Sequence, residues 1–200
     1  MRIILATRNQ HKTKEIKKIL ADPQIEILTL KDFPDVSEVE ETGKTLEENA
    51  ILKAVVVYNA TGIPALADDS GLEVDILDGA PGVMSARFAG PGCSYEDNNL
   101  KLLGLLKGIP EERRGASFRC VVALALSSDD IRVVEGRVRG FITHKEIGEN
   151  GFGYDPVFFY PELDKTFAKL KPEEKNRISH RGIAFRKAIE LINKIMSNDE

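Results

Sequence analysis

Two adjacent carboxylates, Asp68 and Asp69, follow the apolar run of residues 64–67 and are themselves followed by Ser70 and Gly71. Neighbouring side chains of an extended segment point to opposite faces, so one aspartate can face a ligand while the other serves the scaffold. A ligand-facing aspartate suits a hard divalent cation or an attacking water. The same four residue types are also good turn formers, and taken alone they favour a turn. Thr7, Arg8, Asn9, Gln10, His11 and Lys12 lie between another apolar run and a helical pattern. Unpaired helix amides and the helix dipole attract phosphate at such a place, and Thr7, Asn9 and Lys12 add donors. The glycines and the Gly-Lys-Ser/Thr ending of a P-loop are missing.

Glu38, Glu40 and Glu41 form an acidic cluster ahead of Thr42 and Gly43. A solvated face is the ordinary reading of such a cluster. It becomes a metal station if it meets Asp69, because Mg²⁺ takes one or two carboxylates plus substrate phosphates. Asn49 and Lys53 share a helix face with Thr45, a polar stripe that can point at a ligand or at water. Gly151, Phe152, Gly153, Tyr154, Asp155 and Pro156 join aromatics to flexible glycines and an acid. Phe152 or Tyr154 can stack on a base, a contact worth about 1–3 kcal/mol in single-strand binders, and Asp155 can accept hydrogen bonds. Lys175, and Ser179, His180, Arg181 and Gly182 before the last helix, offer donors for phosphate or a purine carbonyl. His11 and His144 otherwise read as surface residues. Cys93 and Cys120 each read as a buried free thiol, with no paired-cysteine metal spacing. Two cation-bearing loops, two acidic stations and an aromatic-glycine loop are what a metal-bound nucleoside triphosphate requires.

These residues need elements to hold them. The pattern predicts a strand at residues 3–6, a helix carrying Ile16, Ile19 and Leu20, a strand at 25–30 and an exposed loop at 32–43. Thr45 and Glu48 have capping-box spacing, and Leu46, Ala50, Ala54 and Val57 line one side of a helix that ends near Gly62. A strand at 64–67 then places the aspartates at its C-terminal end, where open α/β sheets bind ligands. A turn at 78–82 follows, and Ser94 with Asp97 caps a helix running to Leu106. Residues 116–126 and 131–141 read as a hairpin, and Phe185, Ala188, Ile189, Ile192 and Ile195 as the core face of a last helix. The order implies an α/β domain with a mixed sheet, spanning residues 1–200 as one domain. A chain of 200 residues buries enough surface to fold without disulfides. A net charge of −4 argues against a nucleic-acid partner. No apolar run approaches the roughly 20 residues of a membrane span, so the expectation is a soluble, cytoplasmic protein without a membrane partner.

Taken in order, these stretches resemble the inosine/xanthosine triphosphate pyrophosphatase family. The matching residues are Thr7, Asn9 and Lys12; Glu41, Thr42, Gly43, Thr45, Glu47, Glu48, Asn49, Ala50, Lys53 and Ala54; and Ala67 with Asp68, Asp69, Ser70, Gly71 and Leu72. They continue with Gly79, Ala80, Pro81 and Gly82, with Ser85, Ala86 and Arg87, and with the Gly151 and Ser179 motifs above. The resemblance runs from residue 3 to about residue 190. It implies an elongated two-lobed α/β fold, with a long curved mixed β-sheet flanked by helices and a central substrate cleft. It also implies a homodimer, Mg²⁺ dependence and release of pyrophosphate from ITP, dITP and XTP, keeping them out of DNA and RNA. On this resemblance, residues 7–12 hold phosphates, and Asp69 is the general base and a metal ligand. Glu40 is the second metal ligand, with Glu41 the second choice. Ser70, Phe152, Gly153, Tyr154, Asp155, Lys175, His180 and Arg181 bind the nucleotide. Arg8 and His11 stand where the family often has glycine, so this loop departs from its usual form.

Overall fold

The computed structural model describes residues 1–20, 22–37 and 39–198, so Glu38 of the acidic cluster lies outside the described residues. Strand β1 (Arg2–Leu5) leads into helix α1 (Gln10–Ile19), and β2 (Glu26–Thr29) runs parallel to β1. Asn9 starts α1 by accepting from the amides of His11 and Lys12 at 3.0 and 3.1 Å. Lys17 and Lys18 complement the dipole in its last turn. The described residues among 33–43 form no further helix or strand, as expected of an acidic loop.

Helix α2 (Leu46–Thr61) starts where Thr45 Oγ1 accepts from the Glu48 amide at 3.1 Å and stops at Gly62, whose φ of 67° is left-handed. Glu48 reaches back one residue further than a capping box requires, to the Lys44 amide at 2.6 Å. Leu46, Ala50, Ala54 and Val57 are buried as the pattern predicts, and Asn49 and Lys53 are buried with them. Asn49 and Lys53 are therefore turned inward, while Thr45 at the start of the stripe stays exposed as the cap.

Strand β3 (Ala65–Val74) overturns the expected end of a strand at the aspartates. It runs for ten residues, with Asp68 and Asp69 in its middle. The parallel pairing with β1 covers only Ala65 and Leu66, after which β1 ends and β3 continues beside β4. Turn propensity loses here because both carboxylates find buried partners. Gly71 serves the strand by making room: a Cβ would overlap the Gly82 carbonyl.

Helix α3 (Tyr95–Leu105) carries the capping box of Ser94 and Asp97 in full. Strands β4 (Gly115–Ala125) and β5 (Ile131–Ile142) are joined by a turn closed from the Leu126 amide to the Asp130 carbonyl at 2.9 Å. Strands β6 (Phe158–Tyr160) and β7 (Lys165–Thr166) and helix α4 (Pro172–Ile178) come next. Helix α5 (His180–Asn198) begins at His180, so Arg181 and Gly182 lie in its first turn and not ahead of it. The sheet has seven strands in the order β2-β1-β3-β4-β5-β6-β7, parallel among β2, β1 and β3 and antiparallel from β5 through β7. It is open and mixed, as the sequence implies.

The chain divides into two compact units. One comprises residues 1–69, 120–136 and 180–200, the other 70–119 and 137–179. The first has a core of Ile3, Leu5, Leu66, Val122, Phe185 and Ile192, with Cys120 buried in it. The second packs Phe158 against Phe118 and Phe167, at centroid distances of 4.6 and 4.9 Å. It also buries Arg114, whose guanidinium donates to the carbonyls of Leu106, Ile142 and Thr143 at 2.6–2.7 Å. Cys93 differs from expectation: it is half-buried, and its Sγ lies 3.3 Å from Asn98 Oδ1.

Candidate active site

In the first unit, the alternation of β3 sends its two aspartates to different partners. Asp69 is 6% exposed. Its Oδ2 accepts from Asn49 Nδ2 at 3.1 Å, and its Oδ1 accepts from Lys53 Nζ at 3.3 Å. The same ammonium donates to Glu41 Oε1 at 2.7 Å. Asn49 Oδ1 accepts from the Gly43 amide at 2.8 Å, so one amide side chain ties the acidic loop to the aspartate. A Cβ on Gly43 would come within 2.6 Å of that oxygen, which explains the glycine. Burial pushes the Asp69 carboxyl above its ordinary value; Lys53 opposes this and the Glu41 charge adds to it. Burial also acts to depress Lys53, but Asp69, Asp68 and Glu41 outweigh it and raise its pKa.

Asp68 is paired differently. Its Oδ2 lies 2.9 Å from Lys12 Nζ and 3.8 Å from Arg181 Nε, and Arg181 Nη1 donates to Glu15 Oε2 at 2.6 Å. Burial would raise its pKa, but Lys12, Arg181 and Lys53 more than offset that and hold the carboxyl well below the usual range. Asp68 is thus a fixed anion, whereas Asp69 is a more basic one. Glu15 escaped the sequence reading because it stands among the lysines of α1; its spacing of three from Lys12 was the available signal.

The other sequence candidates of this unit divide in the same way. Thr7 Oγ1 accepts from the Asn9 amide at 3.2 Å, and Asn9 itself caps α1. Two of the helix amides expected to face phosphate are therefore already bonded to Asn9. Arg8 is exposed and donates to the Val36 carbonyl at 2.5 Å, linking the first loop to the acidic one. Gln10, His11 and Glu40 are exposed, while His180 and Arg181 are buried. Glu41, next to Glu40, is the acidic-loop residue that reaches Lys53.

In the second unit, Asp155 organises the aromatic-glycine loop. Its Oδ2 accepts from the Phe152 amide at 2.8 Å and from Lys175 Nζ at 2.6 Å. Lys175 also lies 4.9 Å from the centre of the Phe152 ring. Tyr154 is buried and donates from its hydroxyl to the Ser85 carbonyl at 3.0 Å. Gly153 has a φ of 64°, and a Cβ on Gly151 would overlap the Asp155 carboxylate. Ser70 is half-buried on β3. Phe152, Gly153, Tyr154, Asp155 and Lys175 are thus brought together as one cluster.

Comparison with known proteins gives this arrangement a family. The Ham1 family profile matches residues 3–191. The chain belongs to the Ham1 family. It is 49% identical over 200 residues to the dITP/XTP pyrophosphatase of Desulforamulus reducens, covering 100% of both chains. It is 52% identical over 183 residues to the enzyme of that name from Geobacter sulfurreducens, covering 92% of each. Among solved structures, a HAM1 protein from Coxiella burnetii superposes with a TM-score of 0.90 at 40% identity, covering 97% of this chain and 99% of that one. The Staphylococcus aureus Ham1 protein gives 0.85 at 42% identity over 100% of both chains.

The donor set of this Ham1 chain fits a divalent cation that arrives with its ligand. Among the described residues no group of three or more His, Cys, Asp or Glu side chains is placed to hold a metal ion. Asp69 and Glu41 instead share a single cation, the Lys53 ammonium. Two carboxylates completed by phosphate oxygens make a normal Mg²⁺ shell; an all-protein cage does not.

Proposed function

We propose that this chain is a Mg²⁺-dependent pyrophosphatase that hydrolyses dITP, XTP and ITP to the nucleoside monophosphate and pyrophosphate. The observation that carries the reading is the buried Asp69, held by Asn49 and Lys53, within a chain about half identical over its length to dITP/XTP pyrophosphatases. In the reaction, a water oxygen bonds to the α-phosphorus, the bond from that phosphorus to the bridging oxygen breaks, and pyrophosphate leaves. Asp69 orients the water and accepts its proton, a role that its burial-raised basicity suits. Mg²⁺, held by Asp69 with Glu40 or Glu41, would neutralise charge on the triphosphate oxygens. Lys12, set by Asp68, and Lys53 supply further positive charge for the phosphates and the leaving group. The assignment gives residues 7–12 to the phosphates and Ser70, Phe152, Gly153, Tyr154, Asp155, Lys175 and His180 to the nucleoside. Arg181 acts through Asp68, because its guanidinium is engaged with that carboxylate and with Glu15.

Base choice follows from the purine 6-oxo group, which accepts a hydrogen bond from a main-chain N–H. Adenine presents an amino group there and leaves the donor unpaired, a mismatch that can discriminate by about 10⁴-fold. The test is release of pyrophosphate and monophosphate from dITP, XTP, ITP, dATP and dGTP, with Mg²⁺ and with EDTA. Fast Mg²⁺-dependent release from the first three is expected; equal kcat/KM for dATP and dITP, or release of orthophosphate, would sink the reading. The protein is further proposed to be a cytoplasmic homodimer. Light scattering should return about twice the 22.2 kDa chain mass. No helix among the described residues is long and apolar enough to cross a membrane.

A further inference from the structure

Asn99 sits on α3 in the second unit and is 2% exposed. Its Nδ2 donates to Glu146 Oε1 at 2.7 Å and to the Gly153 carbonyl at 3.1 Å. Both partners are acceptors, which fixes which end of the side-chain amide is nitrogen. Its Oδ1 is buried without a hydrogen-bond partner, so burying this amide carries a cost that its two donated bonds must offset. A core with no need of the Gly153 contact would favour an apolar residue here.

One helical turn earlier, on the same face, the Tyr95 ring lies 5.9 Å from the Phe152 ring. Helix α3 therefore grips two consecutive residues of the loop: Phe152 by its ring and Gly153 by its carbonyl. A trans peptide is planar, with its C=O and N–H pointing in opposite directions. Pinning the Gly153 carbonyl to Asn99 thus aims the Tyr154 N–H away from α3. That N–H donates to no acceptor among the described residues. The φ of 64° at Gly153 makes this peptide one that could rotate if it were not held.

We propose that Asn99, seated by Glu146, is the positioning residue that sets base selectivity. By holding the Gly153 carbonyl it presents the Tyr154 N–H to the 6-oxo oxygen of a purine. The inference rests on the reading above that residues 152–155 bind the base. Glu146 is exposed, so its carboxylate steers the Asn99 amide without belonging to the core.

The experiment compares kcat/KM for dITP and dATP, and their equilibrium binding, in the wild type and three variants. Asn99→Asp sets a carboxylate against the Glu146 carboxylate and the Gly153 carbonyl, which frees the peptide. The dITP/dATP ratio should fall about 10-fold or more, through KM for dITP, with kcat changed less. Glu146→Ala leaves the helix and core intact and should lower the ratio in the same direction by a smaller factor. Glu146→Gln keeps an oxygen acceptor for Asn99 and should restore the wild-type ratio. Equal losses on both substrates in Asn99→Asp, or an unchanged ratio in Glu146→Ala, would overturn the proposal. If Asn99→Asp does not fold, the two Glu146 variants decide alone. A wild type that turns over no dITP refutes the catalytic reading instead, and the ratio of binding constants still decides the positioning role.

Discussion

Asp68 and Asp69 are chemically identical neighbours whose surroundings give them different work. Asp68 closes a buried network through Lys12 and Arg181 to Glu15, and those cations keep it ionised. Removing one partner of a buried ion pair leaves the other charge uncompensated, at about 3–5 kcal/mol. Asp68→Asn should therefore lower stability by that order, read as a drop in the urea midpoint. Asp69 is burdened by burial and by the Glu41 charge, with Lys53 and Asn49 as its support. On the proposed mechanism, Asp69→Asn removes the base while the amide keeps a hydrogen-bonding oxygen for Lys53. Loss of a positioned general base typically costs about 10²–10⁴-fold in rate. Its kcat should fall by that factor with dITP, with the urea midpoint nearly unchanged. The reverse pattern, a stable but inactive Asp68→Asn beside an active Asp69→Asn, would exchange the two roles. From residue chemistry alone the pair was legible only as one residue for a ligand and one for the scaffold, and it was the family resemblance that pointed to Asp69. A physical reason for setting Asp68 apart needed Glu15 and Arg181, far apart in the chain and joined only by folding.

At the level of elements, helices with explicit start and stop chemistry were readable to within a residue or two. Thr45 and Gly62 bracket α2, and Ser94 and Asp97 open α3, because caps are local and need no tertiary partner. Strands β6 and β7 and helix α4 were not read, since elements this short leave no periodicity. The length of β3 was missed because burial of its carboxylates, a tertiary effect, overrides the local preference for a turn. Gly136, inside β5, was a signal left unused: a glycine within a strand often marks a close backbone approach. A Cβ there would overlap the His180 carbonyl and lie 2.6 Å from the Ala184 amide, so β5 rests directly on the start of α5. Gly136→Ala must push that helix start away, together with His180 and Arg181. A cost of about 2–3 kcal/mol is expected, or roughly 5–10 °C in Tm for a chain of this size, along with slower turnover. Gly62→Ala is the control. Nothing lies within 4 Å of its added Cβ, so only the left-handed φ is penalised. That change should cost about 1–2 kcal/mol and leave kcat unchanged. Equal effects on kcat from both substitutions would argue that the α5 start does not serve the site.

For the whole molecule, the decisive fact is connectivity. The first unit is assembled from three stretches of chain and the second from two, so the chain passes between them four times, including between Asp69 and Ser70 and between Ser179 and His180. The second unit looks separable as residues 70–179, but that piece carries residues 120–136, which belong to the first. Cys120, Val122 and Leu124 are no more than 1% exposed, in a core shared with Ile3, Leu5, Leu66 and Phe185. In the isolated piece those partners are gone. Leaving a valine or leucine exposed forfeits about 1.5–3 kcal/mol each, a large share of the 5–15 kcal/mol by which domains are stable. The 70–179 fragment should therefore lack a cooperative thermal transition by circular dichroism and should associate through the freed hairpin face. A sharp transition in a monomeric fragment would show that residues 120–136 do not need the first unit. It would also mean that the loop proposed to bind the base can be studied apart from Asp69. If the fragment fails as expected, the selectivity proposed at Gly153 and the chemistry proposed at Asp69 must both be measured in the intact chain, where the two proposals depend on one folding event.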